Sequence, residues 1–255
     1  MLNAILSGKS GTVSKDLKEG TSWRTLYKGS EDLLTATVFE RLSYLPAARF
    51  FEILSKTFRF TVDEIALDPE HVKLDAIEFW PRWEDTTEHA AIVEPDVYLR
   101  FLFGEVGETI DVIIEAKPYD TGAMQYKTQW IRQILAYKSV VDSPAEEKKS
   151  LKFLALGGLG RNSQNRFEKL KTEFYETVEI AQLPDNFEMM GCSWNKLLRV
   201  CQRLTDLSDS EFRIISDVLE GLSLSGYRKR YFFKNLKLSL SHEALDAALN
   251  KIGRV

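Results

Sequence analysis

Apolar positions first recur at helical steps and later at strand steps, and the change of period divides the chain. Leu34, Thr35, Val38, Leu42 and Leu45 share one helical face, Ser30 stands at an N-cap position, and Glu31 and Asp32 favour the positive helix end. A first helix is therefore predicted from about residue 31 to 45, with Pro46 restarting the chain into a second over 47–57. Strands are predicted over 72–79, 97–103 and 109–116, with Trp80-Pro81-Arg82-Trp83 as a break after the first and residues 104–108 as a tight antiparallel hairpin loop. A helix over 125–141 follows, then a strand over 151–156 ending at Gly157-Gly158, a charged amphipathic helix over 163–175 and a strand near 187–192. Helices over 196–204, 210–222 and 241–252 complete the reading.

This order predicts an α/β fold in three parts: an irregular arm over 1–29, a core over 30–195 and a helical C-terminal extension over 196–255. With 255 residues and 44% hydrophobic content the chain can bury a sizeable core. Its 34 basic and 38 acidic residues leave a net charge of -4, which excludes the strongly basic nucleic-acid binders and confines any phosphate grip to a local patch. The densest such patch is Tyr227 to Lys234, where Arg228, Lys229 and Arg230 are candidate nucleic-acid contacts, and Arg161 and Arg166 read as solvated helix charges.

The apolar start Met1 to Leu6 is too short for a secretory segment, and no window reaches the roughly 18 apolar residues of a membrane span, so a cytoplasmic protein is expected. Cys192 and Cys201 sit in apolar surroundings without metal-binding spacing and read as buried free thiols. Ser7-Gly8-Lys9-Ser10 lacks both the earlier glycine and the preceding strand of a phosphate loop. Trp80, Trp83 and Trp130 are expected to pack rather than stack on bases.

Chemistry concentrates between residues 93 and 117. Asp96 opens one predicted strand and Glu115-Ala116-Lys117 closes its neighbour, so two carboxylates and an amine can meet. Residues two apart on a strand share a face at about 6.6 Å, which projects Glu115 and Lys117 together. Hard oxygen ligands of this kind suit a hydrolytic Mg²⁺ site, with Lys117 to hold or activate water. Asp111 lies about 13 Å from Glu115 along the strand, too far to share one ion. Glu94 is a substitute for Asp96, but Pro95 turns it aside. Glu31 sits on the apolar face of the first helix, where a carboxylate needs a partner or a metal, so it is a third candidate ligand. Gln129, Gln133 and Tyr137 recur every four residues and form a polar stripe able to orient the lysine, the glutamate or a phosphate.

Asp96, the Glu115-Ala116-Lys117 triplet and the string Gln133-Ile134-Leu135-Ala136-Tyr137 resemble the PD-(D/E)XK nuclease superfamily, in the branch with a Gln-x-x-x-Tyr motif. The resemblance covers roughly residues 30–160 and implies a restriction-endonuclease-like ααβββαβ core, a mixed central sheet flanked by helices. It further implies Mg²⁺-dependent hydrolysis of DNA, with Mn²⁺ able to substitute. Asp96, Glu115 and Glu31 would bind metal, Lys117 would attend the nucleophile, and Gln133 and Tyr137 would support them. Members with this motif often carry an upstream histidine ligand, whereas His71, His89 and His242 are poorly placed here, so either Glu31 substitutes or the chain belongs to restriction-like or defence-associated branches. A prokaryotic restriction or antiviral setting is expected, with DNA capture aided by a protein partner or homo-oligomer. The alternatives are a noncatalytic interaction subunit and an RNA-cleaving nuclease.

Overall fold

The computed structural model describes residues 30–60, 71–85, 91–104, 107–120, 122, 124–142 and 149–228. The predicted arm, the helix over 241–252, His89, His242, and Lys229 and Arg230 of the basic run lie outside the described residues.

Helix α1 (Glu31–Leu42) starts where Ser30 Oγ accepts from Leu33 N at 3.3 Å, and α2 (Ala47–Phe58) follows Pro46. Strand β1 (Val72–Phe79) comes next, then a short hairpin of β2 (Trp83–Asp85) and β3 (Ala91–Val93). The sequence reading saw only a break here, because strands of three residues are too short to display a period of two. Strands β4 (Val97–Phe103) and β5 (Glu108–Ala116), helix α3 (Lys127–Val140), strand β6 (Lys149–Leu156), helix α4 (Ser163–Tyr175) and strand β7 (Phe187–Cys192) build the centre. Helices α5 (Trp194–Cys201) and α6 (Asp209–Leu224) close the described chain.

The main sheet has five strands in the order β1-β4-β5-β6-β7. Its first two pairings are antiparallel, the hairpin of β4 and β5 among them, and its last two are parallel through the crossovers of α3 and α4. Central β5 and β6 are almost wholly buried, as strands covered on both faces must be.

Alternation along β5 assigns its two faces. Val112, Ile114 and Ala116 join a core with α1, α2, α5 and α6, while Ile113 joins a second core with α3 and α4. Asp111 and Glu115 share the parity of Ile113 and so face α3. The described part of the predicted C-terminal extension buries Leu197, Ile215 and Val218 in the same core as α1 and α2. Trp80, Trp83 and Trp130 are buried, as are the free thiols Cys192 and Cys201.

Asp111 makes the second core partly ionic. Arg100 donates to both its oxygens at 2.8 and 2.9 Å, Tyr137 Oη donates at 2.7 Å, and Lys149 Nζ stands 3.4 Å away. Burial pushes this carboxyl up, but the hydrogen bonds from Arg100 and Tyr137 and the two cations prevail and leave its pKa lowered. Removing one partner of such a buried pair costs about 3–5 kcal/mol, and that loss is expected for Asp111→Asn. A depressed carboxyl contributes stability above its unfolded pKa of about 4 and loses it as pH falls through the folded value. Urea denaturation over a pH series should therefore show a full gap between wild type and variant above about pH 4, closing below it. A gap independent of pH would refute the assignment.

Candidate active site

Val97 pairs with Ile114, so the register places Asp96 opposite Glu115 just where the ladder of β4 and β5 runs out. Asp96 Oδ2 accepts from Ala116 N at 2.8 Å, which fixes the carboxylate against the end of β5 at 7% exposure. Lys117 follows at once, its N–H donating to Leu156 O at 2.8 Å and its carbonyl accepting from Trp194 Nε1 at 2.8 Å. Gly157 and Gly158 make this approach feasible, with φ of 70° and 63°. A Cβ on Gly157 would lie 2.3 Å from Lys117 O, and one on Gly158 would lie 2.5 Å from Lys117 Cβ.

The Lys117 ammonium pairs with Glu115 Oε1 and stands 3.2 Å from Glu31 Oε1. Glu115 is fully buried, and α3 grips its two oxygens separately: Gln129 Nε2 donates to Oε1 at 2.7 Å and Gln133 Nε2 donates to Oε2 at 2.5 Å. Gln125, just before α3, donates from Nε2 to Glu115 O at 3.0 Å and to Gly157 O at 3.3 Å. Its Oε1 accepts from Trp130 Nε1 at 2.9 Å, which locks the amide. A cleft of about 420 Å³ reaches Gln129 and Gln133 from between β3 and the start of α3.

Like charges crowd this point. Burial raises the Asp96 pKa well above the ordinary carboxylate value, and Glu115 and Glu31 add to it, with Lys117 and Ala116 N opposing. Glu31 is raised as well, chiefly by burial against the opposing pull of Lys117. For Lys117 burial acts to lower the pKa, but Glu115, Asp96 and Glu31 outweigh it and raise it. The ammonium therefore stays charged at neutral pH and is unsuited to accept a proton.

Glu31, Asp32 and Asp96 present carboxylate oxygens within 4.8 Å of one another, a hard-oxygen set that fits a divalent cation. Glu115 is outside that trio and is instead held by Lys117, Gln129 and Gln133. Asp32 was read only as a helix-end charge; its place beside Glu31 on the first turn of α1 was the available signal.

The remaining candidates separate. Tyr137 binds Asp111 and does not reach Glu115 or Lys117, while Glu94 pairs with Arg82 at 3.4 Å. Arg228 is exposed at the end of the described chain, and no helix among the described residues is long and apolar enough to cross a membrane.

Fold and site together define an α/β protein with a mixed five-stranded sheet and an acid-lysine cluster where β4 and β5 separate. The chain is 35% identical over 246 residues to the uncharacterized protein PM0110 of Pasteurella multocida, across 93% of this chain and 85% of that protein, and it belongs to the same family. No family model matches it, and no solved structure matches.

Proposed function

We propose that this chain is a metal-dependent phosphodiesterase of the restriction-endonuclease-like PD-(D/E)XK type that hydrolyses DNA. With the β2 and β3 hairpin set aside, the order through β6 is α, α, β, β, β, α, β, the order that the resemblance implies. The observation that carries the reading is the Lys117 ammonium lodged between Glu115 and Glu31, beside buried Asp96. Carboxylates confined together at such electrostatic cost are a common mark of a functional site.

Asp96, Glu31 and Asp32 are the residues to hold Mg²⁺ or Mn²⁺, and the bound ion would supply Lewis acidity toward a phosphoryl oxygen and a more acidic water. Lys117 then serves as a fixed cation that orients the attacking water and offsets charge developing on the phosphate. Gln129 and Gln133 keep Glu115 in place, and Glu115 in turn aims Lys117. Glu31 is committed to the metal and to the Lys117 ammonium, so the proton that the water releases passes to solvent. A restriction or antiviral setting, with a protein partner or a second copy to aid DNA capture, completes the proposal.

The test is cleavage of plasmid and linear DNA, with RNA offered in parallel, in Mg²⁺, in Mn²⁺ and in EDTA. Cutting of DNA in either metal, lost in EDTA and in Asp96→Ala with folding intact, is expected. Cleavage confined to RNA would replace the substrate class. Absence of cleavage on both polymers would leave a noncatalytic interaction subunit as the better account.

A further inference from the structure

A second cleft, of about 500 Å³, lies along the outer edge of β7 between the end of α2 and α4, with α5 at one end. Its rim is cationic: Arg59 closes α2, Lys171 stands on α4, and Lys196 and Arg199 stand on α5. Glu168 is the one acid in the lining. Among the described residues, Arg59, Lys171 and Lys196 form no ion pair, and Arg199 Nε donates to Asn195 O at 3.1 Å, with its charge felt by the Asp120 carboxylate.

The cations form a row. Lys196 and Arg199 stand one turn apart on α5, about 5 Å along its axis, and Arg203 follows in the turn beyond the helix. Two positive charges about 5 Å apart along the helix axis suit neighbouring phosphates of a nucleic-acid strand. Burial lowers the Lys196 pKa, and repulsion from Arg59, Arg199 and Arg203 lowers it further, so the cluster is held against its own charge. Arg59 also ends α2 in the left-handed conformation at φ 65°, where glycine is the ordinary residue and a side chain carries a steric cost.

Position ties this row to the acid-lysine cluster. Gly157 N donates to Cys192 O at 2.8 Å, and Trp194, the first residue of α5, donates to Lys117 O. β7 lies two strands from β5, about 10 Å at the usual strand spacing, and the cleft opens just beyond its end. We infer that the Arg59, Lys171, Lys196 and Arg199 cleft is a nucleic-acid backbone track, which receives phosphates of the strand a few nucleotides from the bond held at Lys117. The inference rests on the phosphodiesterase reading for its orientation toward Lys117, and on the cation row for the binding itself. It also supplies the local patch that a chain of net charge -4 requires to hold DNA.

The test is anisotropy of short fluorescein-labelled single- and double-stranded DNA in EDTA, where nothing can be cut, across a series of salt concentrations. Lys196→Glu/Arg199→Glu is expected to weaken binding about ten-fold or more and to reduce the slope of log affinity against log salt by about 2, one per lost phosphate contact. Lys73→Glu, a matched reversal at an exposed position of β1 on the opposite edge of the sheet, should retain full binding. A melting curve guards against misfolding, and Lys171→Glu, on α4 in the lining, is the substitute if the double variant unfolds; it should lower the slope by about 1. Unchanged affinity and slope in the reversed variants, or no binding by the wild type at low salt, would overturn the track whatever the cleavage assays show. A salt slope that responds to the reversals in a protein that cuts nothing would keep the track and discard the phosphodiesterase.

Discussion

Asp96→Asn is expected to make the metal-free protein more stable while removing its DNA cleavage. The fold raises the Asp96 pKa, so the folded state binds a proton there more tightly than the unfolded chain and carries a penalty wherever Asp96 is ionised. That penalty is full above the folded pKa, and it fades as pH falls from there toward the ordinary carboxylate value of about 4. Mild acidification should therefore stabilise the metal-free wild type through Asp96 and do so less in the variant. Asparagine keeps a carbonyl oxygen for Ala116 N, so the β5 anchor survives while the charge goes. The melting midpoint in EDTA should rise by a few degrees, at about 2–4 °C per kcal/mol for a chain of this size. Mg²⁺ should lift the wild-type midpoint by mass action and leave the variant nearly unmoved. A variant that melts lower in EDTA, or gains as much from Mg²⁺ as the wild type, would remove Asp96 from the metal-binding role.

Lys117→Met is the counterpart, with loss of both function and stability. Its removal leaves Glu115 fully buried with only the Gln129 and Gln133 amides for partners, and leaves Glu31 without its cation. An uncompensated buried charge costs about 3–5 kcal/mol. Cleavage should fall by about 10²–10³-fold, as when one preorganised electrostatic group is lost. The double variant Lys117→Met/Glu115→Gln separates the two effects, because removing both charges relieves the burial penalty. It should melt above the Lys117→Met single variant and remain equally inactive. Equal melting of single and double variants would show that the pair is not coupled.

The strands and helices announced themselves to the extent that their periods ran long enough. Strands over 72–79 and 97–103 and the helix over 163–175 have the predicted bounds, the first from partial alternation, the second from an apolar run and the helix from its amphipathic repeat, while the strand near 187–192 has no such period and still falls there. α3 starts at Lys127, not 125, since Gln125 spends its side chain on two carbonyls outside the helix. The fit between α3 and β5 also explains why Tyr137 left the site. Eight helical residues from Gln129 to Tyr137 advance about 12 Å, nearly the 13 Å that separates Glu115 from Asp111 on the strand. One stripe on α3 therefore serves two different carboxylates, a division that helix periodicity by itself does not reveal.

Asp96, Glu115, Lys117 and Glu31 were legible because strand parity and helix phase fix side-chain direction even without a tertiary structure. How the carboxylates divide their work was not legible. The assignment of Asp32 to the acidic trio and of Glu115 to the lysine depends on how closely α1 approaches the end of β5. The cationic cleft was hidden for a similar reason, since Arg59, Lys171 and Lys196 are far apart in sequence and meet only across the edge of β7.

Gln125 carries a consequence for how this centre tolerates heat and change. Register between β5 and β6 ends at Ala116 and Leu156, and past that point one amide sutures Glu115 and Gly157 together from outside the sheet. The spacing of the two strand tips, and with it the seat of Lys117, is thus held by this side chain together with the backbone bond from Lys117 N to Leu156 O. Loss of that amide, or of the Trp130 indole that clamps it, should let the two tips drift and unseat Lys117 without touching any of the charged groups.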